Sequence, residues 1–347
     1  MTANSTFQCP INNDSKEVIK LGHGSGGKMT AQLIEQLFLP KLGNEFLNSL
    51  DDATLFKSGS KNLAITTDSY VVKPIFFPGG NIGSLAVYGT VNDLCMRGAK
   101  PLYLTASFIL EEGFAISELD IIVESMSKAC EIAGVKIIAA DTKVVNSGAA
   151  DKIYINTTGI GLVELDVVPS CHRAAAGDAI IVSGDLGCHG MAVMCSREGL
   201  ELETSLLSDC APLNSLVEAM VNTKADIHCL RDLTRGGLAS ATNEIAQASK
   251  VGIELDESAI PINSQVKASC ELLGLDPLYV ACEGRLIAIV KETDCEKIIY
   301  AMRNQNSDPI VIGRVTDDHK GTVVSRSRVG GRRIVDKLSG EQLPRIC

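Results

Sequence analysis

Apolar positions along the chain fall into two periods. Leu63-Ala64-Ile65-Thr66-Thr67-Asp68, Leu102 to Leu110, Val135 to Ala140 and Ile153 to Val163 are short apolar runs of strand length. Between them, Asn81 to Arg97 and Ser117 to Ala133 carry apolar residues at helical spacing. Ser117 with Asp120 predicts a capping pair for the second of these helices. Small residues in the first, Ala86 and Gly89, predict close packing. Pro169 to Gly177 reads as a linker, after which a second series begins. Its strands are expected at 179–182, 251–255, 285–290 and 310–316, and its helices at 189–198, 212–224 and 238–249. Strands and helices interleave in both series, which predicts an α/β (α+β) fold in two domains. Ahead of them, residues 1–17 are polar and irregular, and Val18 to Leu21 is a short apolar run expected to form a strand. Leu33, Ile34, Leu37 and Phe38 recur at helical spacing until Pro40 ends the pattern.

A length of 347 residues fits two domains, and an apolar fraction of 45% can fill a sizeable core. No apolar run approaches the roughly 20 residues needed to span a bilayer, and no basic region followed by an apolar core opens the chain. A net charge of −10 argues against a broad basic face for nucleic acid. Twelve cysteines run from Cys9 to Cys347 without a C-x-x-C pair, which argues against a thiolate zinc site. Most lie in apolar patterns and read as reduced, buried thiols of a cytoplasmic protein. The neighbours Cys171-His172, Cys188-His189 and His228-Cys229 read as packing, because adjacent residues chelate one ion poorly.

Gly22-His23-Gly24-Ser25-Gly26-Gly27-Lys28 nearly spells a P-loop, but the Ser or Thr that would ligate Mg²⁺ is replaced by Met29. A strand, a glycine loop and a helix still make a candidate phosphate site, because glycines let backbone N–H groups approach anionic oxygens. The plainer alternative is a flexible turn. Asp51, Asp52, Asp68 and Asp93 fall within about 45 residues. Each has a local reading as a helix cap, a turn former or a solvated helix residue, and together they offer the hard oxygens that Mg²⁺ prefers. Arg231-Asp232-Leu233-Thr234-Arg235-Gly236-Gly237 is a second glycine turn before a helix, and Glu283 stands just before a strand. The last residue is Cys347, either an idle exposed thiol or a sulfur on an arm that carries a small group. With Gly330 as a hinge, the seventeen residues beyond it could reach about 55–60 Å.

In this order, these motifs resemble the HypE family of hydrogenase-maturation factors, within the aminoimidazole-ribonucleotide-synthetase-like superfamily. The resemblance runs from about Leu21 to Cys347. Its most specific stretch is Gly331-Arg332-Arg333-Ile334-Val335-Asp336 through Gly340-Glu341-Gln342-Leu343-Pro344-Arg345-Ile346-Cys347. His23 to Gly27, Asp51-Asp52-Ala53, Thr67-Asp68-Ser69, Asn92-Asp93-Leu94, Asp141-Thr142-Lys143-Val144-Val145, His189-Gly190 and Asp232 to Gly237 support it. Two departures stand out. The pattern has Gly where this chain has Ala140, and Asn-Glu-Gly-Lys where it has Cys282-Glu283-Gly284-Arg285.

The resemblance implies a two-domain PurM-like fold in which the N-terminal domain pairs into a β-barrel across a homodimer. It divides the chain into an N-terminal segment at 1–42, domains at 43–165 and 170–325, and a flexible tail at 330–347. The implied reaction is ATP-dependent conversion of a carboxamide on Cys347 to a thiocyanate. A HypF carbamoyltransferase would load the tail, and a HypC–HypD complex would receive the cyano group. Asp52, Asp93 and Asp232, with Asp68 as a fourth, match the magnesium aspartates. Cys347, Glu283 and Lys143 match the catalytic set, either Glu283 or Lys143 being the base. Gly24, Gly26, Gly27, Lys28, Thr67, Asp68, Asn92, Asp141, Thr142 and Arg235 match nucleotide contacts. Two other readings stand beside this one. A related ATP-dependent synthetase, for aminoimidazole ribonucleotide or selenophosphate, would share the aspartates but need no terminal cysteine. A non-catalytic scaffold would hold nucleotide without cleaving it.

Overall fold

The protein is described by a computed structural model that covers residues 19–199, 206–327, 329–338 and 345–347. The first domain is built on a five-stranded sheet. Its strands lie in the order Thr54–Ser58, Lys61–Tyr70, Ile153–Val163, Lys100–Glu111, Lys136–Val145. All neighbours are antiparallel except the last pair. Ile153–Val163 alternates buried and half-buried positions without a break, so one face of this central strand meets the core. Lys136–Val145 closes the sheet as an outer strand, exposed at most of its positions.

Helix Ile82–Met96 crosses the inner face of this sheet. Asn81 caps it: Asn81 Oδ1 accepts from Gly83 N at 2.8 Å and Ser84 N at 3.3 Å, and Ser84 Oγ accepts from Asn81 N. Nearly every residue of the helix is buried. It lies between strands Lys61–Tyr70 and Ile153–Val163 on one side and helix Ile116–Ala133 on the other, and it also touches strand Ile227–Asp232 of the second domain. Gly89 is required where Tyr70 crosses the helix, because a Cβ there would sit 2.3 Å from the Tyr70 hydroxyl. Helix Ile116–Ala133 starts one residue before the expected position, with Ala115 as N-cap and no side-chain cap, so Ser117 lies inside it.

The second domain carries a seven-stranded mixed sheet in the order Arg332–Val335, Val323–Arg326, Gly252–Asp256, Ile310–Thr316, Ala179–Val182, Leu286–Val290, Ile227–Asp232. Leu286–Val290 is buried at all five positions. Helices Cys188–Arg197, Asn214–Asn222, Gly237–Ser249, Ser264–Leu273 and Cys295–Arg303 complete the domain. One apolar cluster runs across the seam from Tyr70 and Leu85 to Leu286 and Met302, and Ile346 is part of it. The seam is also polar: Arg97 pairs with Asp51, which accepts from Ser170 Oγ and Cys171 N at 3.1 Å each. All described cysteines are free thiols. Among the described residues no helix is long and apolar enough to cross a membrane.

Three further expectations change. The helical segment that Pro40 was expected to end runs on through it to Leu42, with Pro40 in the first turn of Leu39–Leu42. Leu21–Gly24 is a turn of 3-10 helix, so no strand leads into the glycine loop. The chain beyond Gly330 is also not a free arm from its root. Gly330, at φ +82°, and Gly331 make the tight turn of a hairpin, and Arg332–Val335 pairs antiparallel with Val323–Arg326. Val335 is fully buried, and its carbonyl accepts from Asn243 Nδ2 at 2.9 Å. Residues 339–344 of the terminal motif lie outside the described residues.

Candidate active site

Where the two domains meet, a cleft of about 280 Å³ is lined by Asp52, Asp68, Asp93 and Asp232, with Thr66, Thr67, Arg231, Arg235, Glu283 and Cys347. Four separate elements deliver these side chains. Asp52 precedes the first strand, Asp68 lies near the end of Lys61–Tyr70, Asp93 sits in the last turn of the capped helix, and Asp232 ends strand Ile227–Asp232.

One carboxylate oxygen each from Asp52, Asp93 and Asp232 lies within 4.8 Å of the others. Thr66 Oγ1 donates to Asp93 at 2.8 Å, and Arg231 bridges Asp52 to Glu244. Burial pushes all three carboxyls up. Asp52 rises to about 6, opposed mainly by the Arg231 guanidinium. Asp232 rises to about 8, where burial is reinforced by Asp52 and opposed by Arg231. Asp93 rises well above the carboxylate range, through burial and then the charges of Asp68, Asp232 and Asp52. Asp232 Oδ2 is buried with no hydrogen-bond partner. Three crowded carboxylates, one with an orphaned oxygen, are a donor set that fits a hard divalent cation. Asp68 stands on the rim, where Tyr70 Oη donates to it at 3.4 Å.

Glu283 is 3% exposed, and its Oε1 is also buried without a partner. Burial holds its carboxyl well up; Asp232, Asp209 and Asp68 add to this, and Arg235 opposes it. Gly284 makes the approach possible, since a Cβ there would lie 1.9 Å from the Asp209 carbonyl oxygen. Cys347 reaches the cleft because the end of the chain is docked. Val71 N donates to the terminal carboxylate of Cys347 at 3.1 Å, and Lys73 N to the Arg345 carbonyl at 3.0 Å. Arg197 Nη2 also donates to the Arg345 carbonyl, at 2.8 Å, and the Arg345 side chain pairs with Asp151. Burial pushes the Cys347 thiol up to about 12, against the pull of Arg235.

Other expected residues lie elsewhere. The Asn92 side chain is engaged with backbone groups of Ala211, Leu213 and Glu283. Gly26 and Gly27 line an adjoining cavity of about 410 Å³ that shares Leu50 and Arg231 with the cleft. Arg235 joins the two regions by donating to the Gly24 carbonyl at 2.7 Å. Lys28 pairs with Asp336. Asp141, Thr142 and Lys143 lie on the outer strand, where Lys143 bonds Asp141 at 2.8 Å with its side chain 70% exposed. Of the two departures, Ala140 is exposed on the outer strand; in the other, Cys282 Sγ accepts from Gly187 N at 3.1 Å, and Arg285 faces Asp185 and Asp209. Arg231, which bridges Asp52 and Glu244, lines the cleft as well; its sign in the chain is its place beside Asp232.

Residues 50–163 match the N-terminal domain of the AIR synthase related proteins, and residues 175–326 match the C-terminal domain. The carbamoyl dehydratase HypE of Cupriavidus necator is 49% identical over 344 residues, 98% of each chain. The chain belongs to the HypE family. HypE proteins are carbamoyl dehydratases, and the fold agrees with theirs. The structure of a HypE–HypF complex aligns at a TM-score of 0.84 with 46% identity, over 88% of this chain and 99% of that one. HypE in complex with ATP aligns at 0.80 with 46% identity, over 94% and 98%.

Proposed function

We propose that the chain uses ATP to dehydrate an S-carboxamide on its own Cys347 to a thiocyanate, supplying cyanide for a nickel–iron hydrogenase centre. The observation that carries this reading is the position of the terminal thiol, half-buried in one cleft with Glu283, Asp93 and Asp232. An idle exposed thiol would have no reason to be there.

An amide oxygen is a poor leaving group, and phosphorylation turns it into phosphate. The amide oxygen attacks the γ-phosphorus and ADP departs. The O-phosphorylated imidate then loses its remaining N–H proton and its phosphate, leaving S–C≡N; both N–H protons and the oxygen have gone. Glu283 would take a proton, a role its unpartnered Oε1 supports. Arg235, the cation beside Cys347 and Glu283, would orient a phosphate oxygen. Asp52, Asp93 and Asp232 would hold Mg²⁺, with Asp68 at the rim; when bound, the ion neutralises phosphate charge. Gly24, Gly26, Gly27 and Lys28 would meet the nucleotide from the adjoining cavity.

The outer strand Lys136–Val145 exposes Ile138 at 60% and Val144 at 68%, an edge suited to pairing with a second copy. In such a homodimer, Lys143, Asp141 and Thr142 would reach a cleft only across the new interface. The HypE–HypF complex of a relative supports HypF as the loading partner, and HypC–HypD would be the acceptor. A cytoplasmic location suits the free thiols.

Intact mass spectrometry tests the reading. Protein carbamoylated by HypF should lose the mass of one water when Mg²⁺ and ATP are added. Loaded protein that cleaves ATP without losing water would overturn it.

A further inference from the structure

Two side chains that the scheme leaves unused stand between the tail and Glu283. His189 is fully buried in the first turn of helix Cys188–Arg197. Its Nε2 lies 2.6 Å from the carbonyl oxygen of Ile346, and its Nδ1 lies 2.8 Å from Ser208 Oγ. A carbonyl oxygen only accepts, so Nε2 carries the proton; neutral Nδ1 then accepts from the Ser208 hydroxyl. Burial draws the imidazole down to about 4, against the Ile346 contact, so the ring stays neutral. The edge of the ring meets Phe77 in a T-shaped contact at 5.2 Å and 88°, which fixes its rotation.

Ser208 is itself held. Its backbone N donates to Pro78 O at 2.8 Å, and its Oγ accepts from Cys210 N at 3.0 Å. The next residue, Asp209, accepts from Glu283 N at 3.0 Å through Oδ1. Consecutive residues of one segment therefore set the imidazole that grips the peptide before Cys347 and the backbone of Glu283. Packing alone would be met by an apolar side chain. A buried imidazole with both nitrogens committed, one of them to a backbone oxygen next to the carrier residue, is built for register.

We propose that His189, oriented by Ser208, is a positioning residue that fixes the tail so that the group carried on Cys347 is presented to Glu283. This rests on the proposed tail chemistry. A misplacement of about 1 Å from a reacting geometry costs about a hundredfold in rate, which sets the scale of the effect.

The experiment is single-turnover dehydration of full-length protein already carbamoylated on Cys347, followed by mass. His189→Gln keeps a donor near the place of Nε2, whereas His189→Asn keeps an atom near Nδ1 and loses that donor. His189→Leu keeps bulk alone. We expect Asn and Leu to slow water loss about 10–100-fold and Gln to recover most of the rate, with carboxamide loading unchanged in all three. Equal rates in the three variants, whether fast or slow, would overturn the positioning role. Should these variants fail to fold, Ser208→Ala is read instead, together with its ¹⁵N-histidine resonances. Slower water loss together with a shifted Nε2 resonance, reporting a changed bond to the Ile346 carbonyl, supports the proposal, and a wild-type rate overturns it. Failure of the wild type to lose water would count against the tail chemistry itself, a different result.

Discussion

The side-chain amide of Asn92 donates to the backbone carbonyl of Glu283 at 3.2 Å, tying the helix that carries Asp93 to the loop that carries the candidate base. The same amide nitrogen donates to Ala211 O at 3.1 Å, and Asn92 Oδ1 accepts from Leu213 N at 2.8 Å. Asn92→Ala would leave Leu213 N and Ala211 O without these partners and take one of two donors from Glu283 O, which also accepts from Ala211 N at 3.5 Å. We expect a loss of about 3 kcal/mol of stability, read from urea unfolding, since each orphaned group costs about 1–3 kcal/mol and the site can relax in part. Water loss from the loaded tail should fall further than nucleotide affinity, because the interaction lost is with the Glu283 loop.

Burial and then the charge of Asp232 raise the Glu283 carboxyl, so offsetting that charge favours its base form. Glu283→Gln keeps size and removes the proton acceptor. The variant should bind nucleotide and accept the carboxamide at the normal rate, then stall, with water loss down at least about a hundredfold. Thiocyanate appearing at the wild-type rate would move the assignment to Lys143 across a dimer interface.

The crowded aspartates give the metal-free protein a definite pH dependence. An unfolded Asp releases its proton near 3.8, whereas folded Asp52 and Asp232 hold theirs to about 6 and about 8. Between those limits the folded state binds more protons than the unfolded one, so stability falls as pH rises from about 4 toward 8. A cation held by the ionised carboxylates reverses this. In thermal melts with EDTA, Tm should decline over that window, and Mg²⁺ should raise Tm more at pH 8 than at pH 5. Asp93→Asn removes one charge from the crowd. It should raise the EDTA melting point at pH 8 while abolishing Mg²⁺-dependent ATP cleavage. A flat profile in EDTA, unchanged by Mg²⁺, would speak against the shared cation site.

What was legible in the chain follows from which interactions leave a residue pattern. The apolar run Ile153–Val163 and the small residues around Gly89 mark one strand and one close-packed helix, and both formed where expected. Asp52, Asp93 and Asp232 lie far apart in sequence and converge because three different elements end at one seam. Spacing alone could not bring them together; the family resemblance did. His189 was read as packing, because its key partner is a backbone oxygen, which any residue at position 346 would supply. Gly330 was read as a hinge, yet φ +82° serves a tight hairpin turn equally well. Arg332 to Val335 then pairs as an edge strand.

The docked end of the chain gives the last prediction. Val71 N donates to the Cys347 carboxylate and Lys73 N to the Arg345 carbonyl, in the sense of an added antiparallel strand. Ile346 is 3% exposed, and the Arg345 side chain pairs with Asp151. In the proposed scheme, loading by an outside enzyme would take the thiol out of this place, and dehydration would bring it back. Removing residues 345–347 should therefore speed amide hydrogen exchange at Val71 and Lys73 by at least about tenfold, the equivalent of about 1.4 kcal/mol of protection. Asp151→Ala should give a smaller increase at the same two amides, because a half-exposed ion pair contributes up to about 1 kcal/mol. Adding Mg²⁺ and ATP to the full chain should slow exchange at both positions, if nucleotide favours the docked thiol. Equal exchange with and without the last three residues, in a protein that still dehydrates its tail at the normal rate, would mean that this contact is not the working position of Cys347.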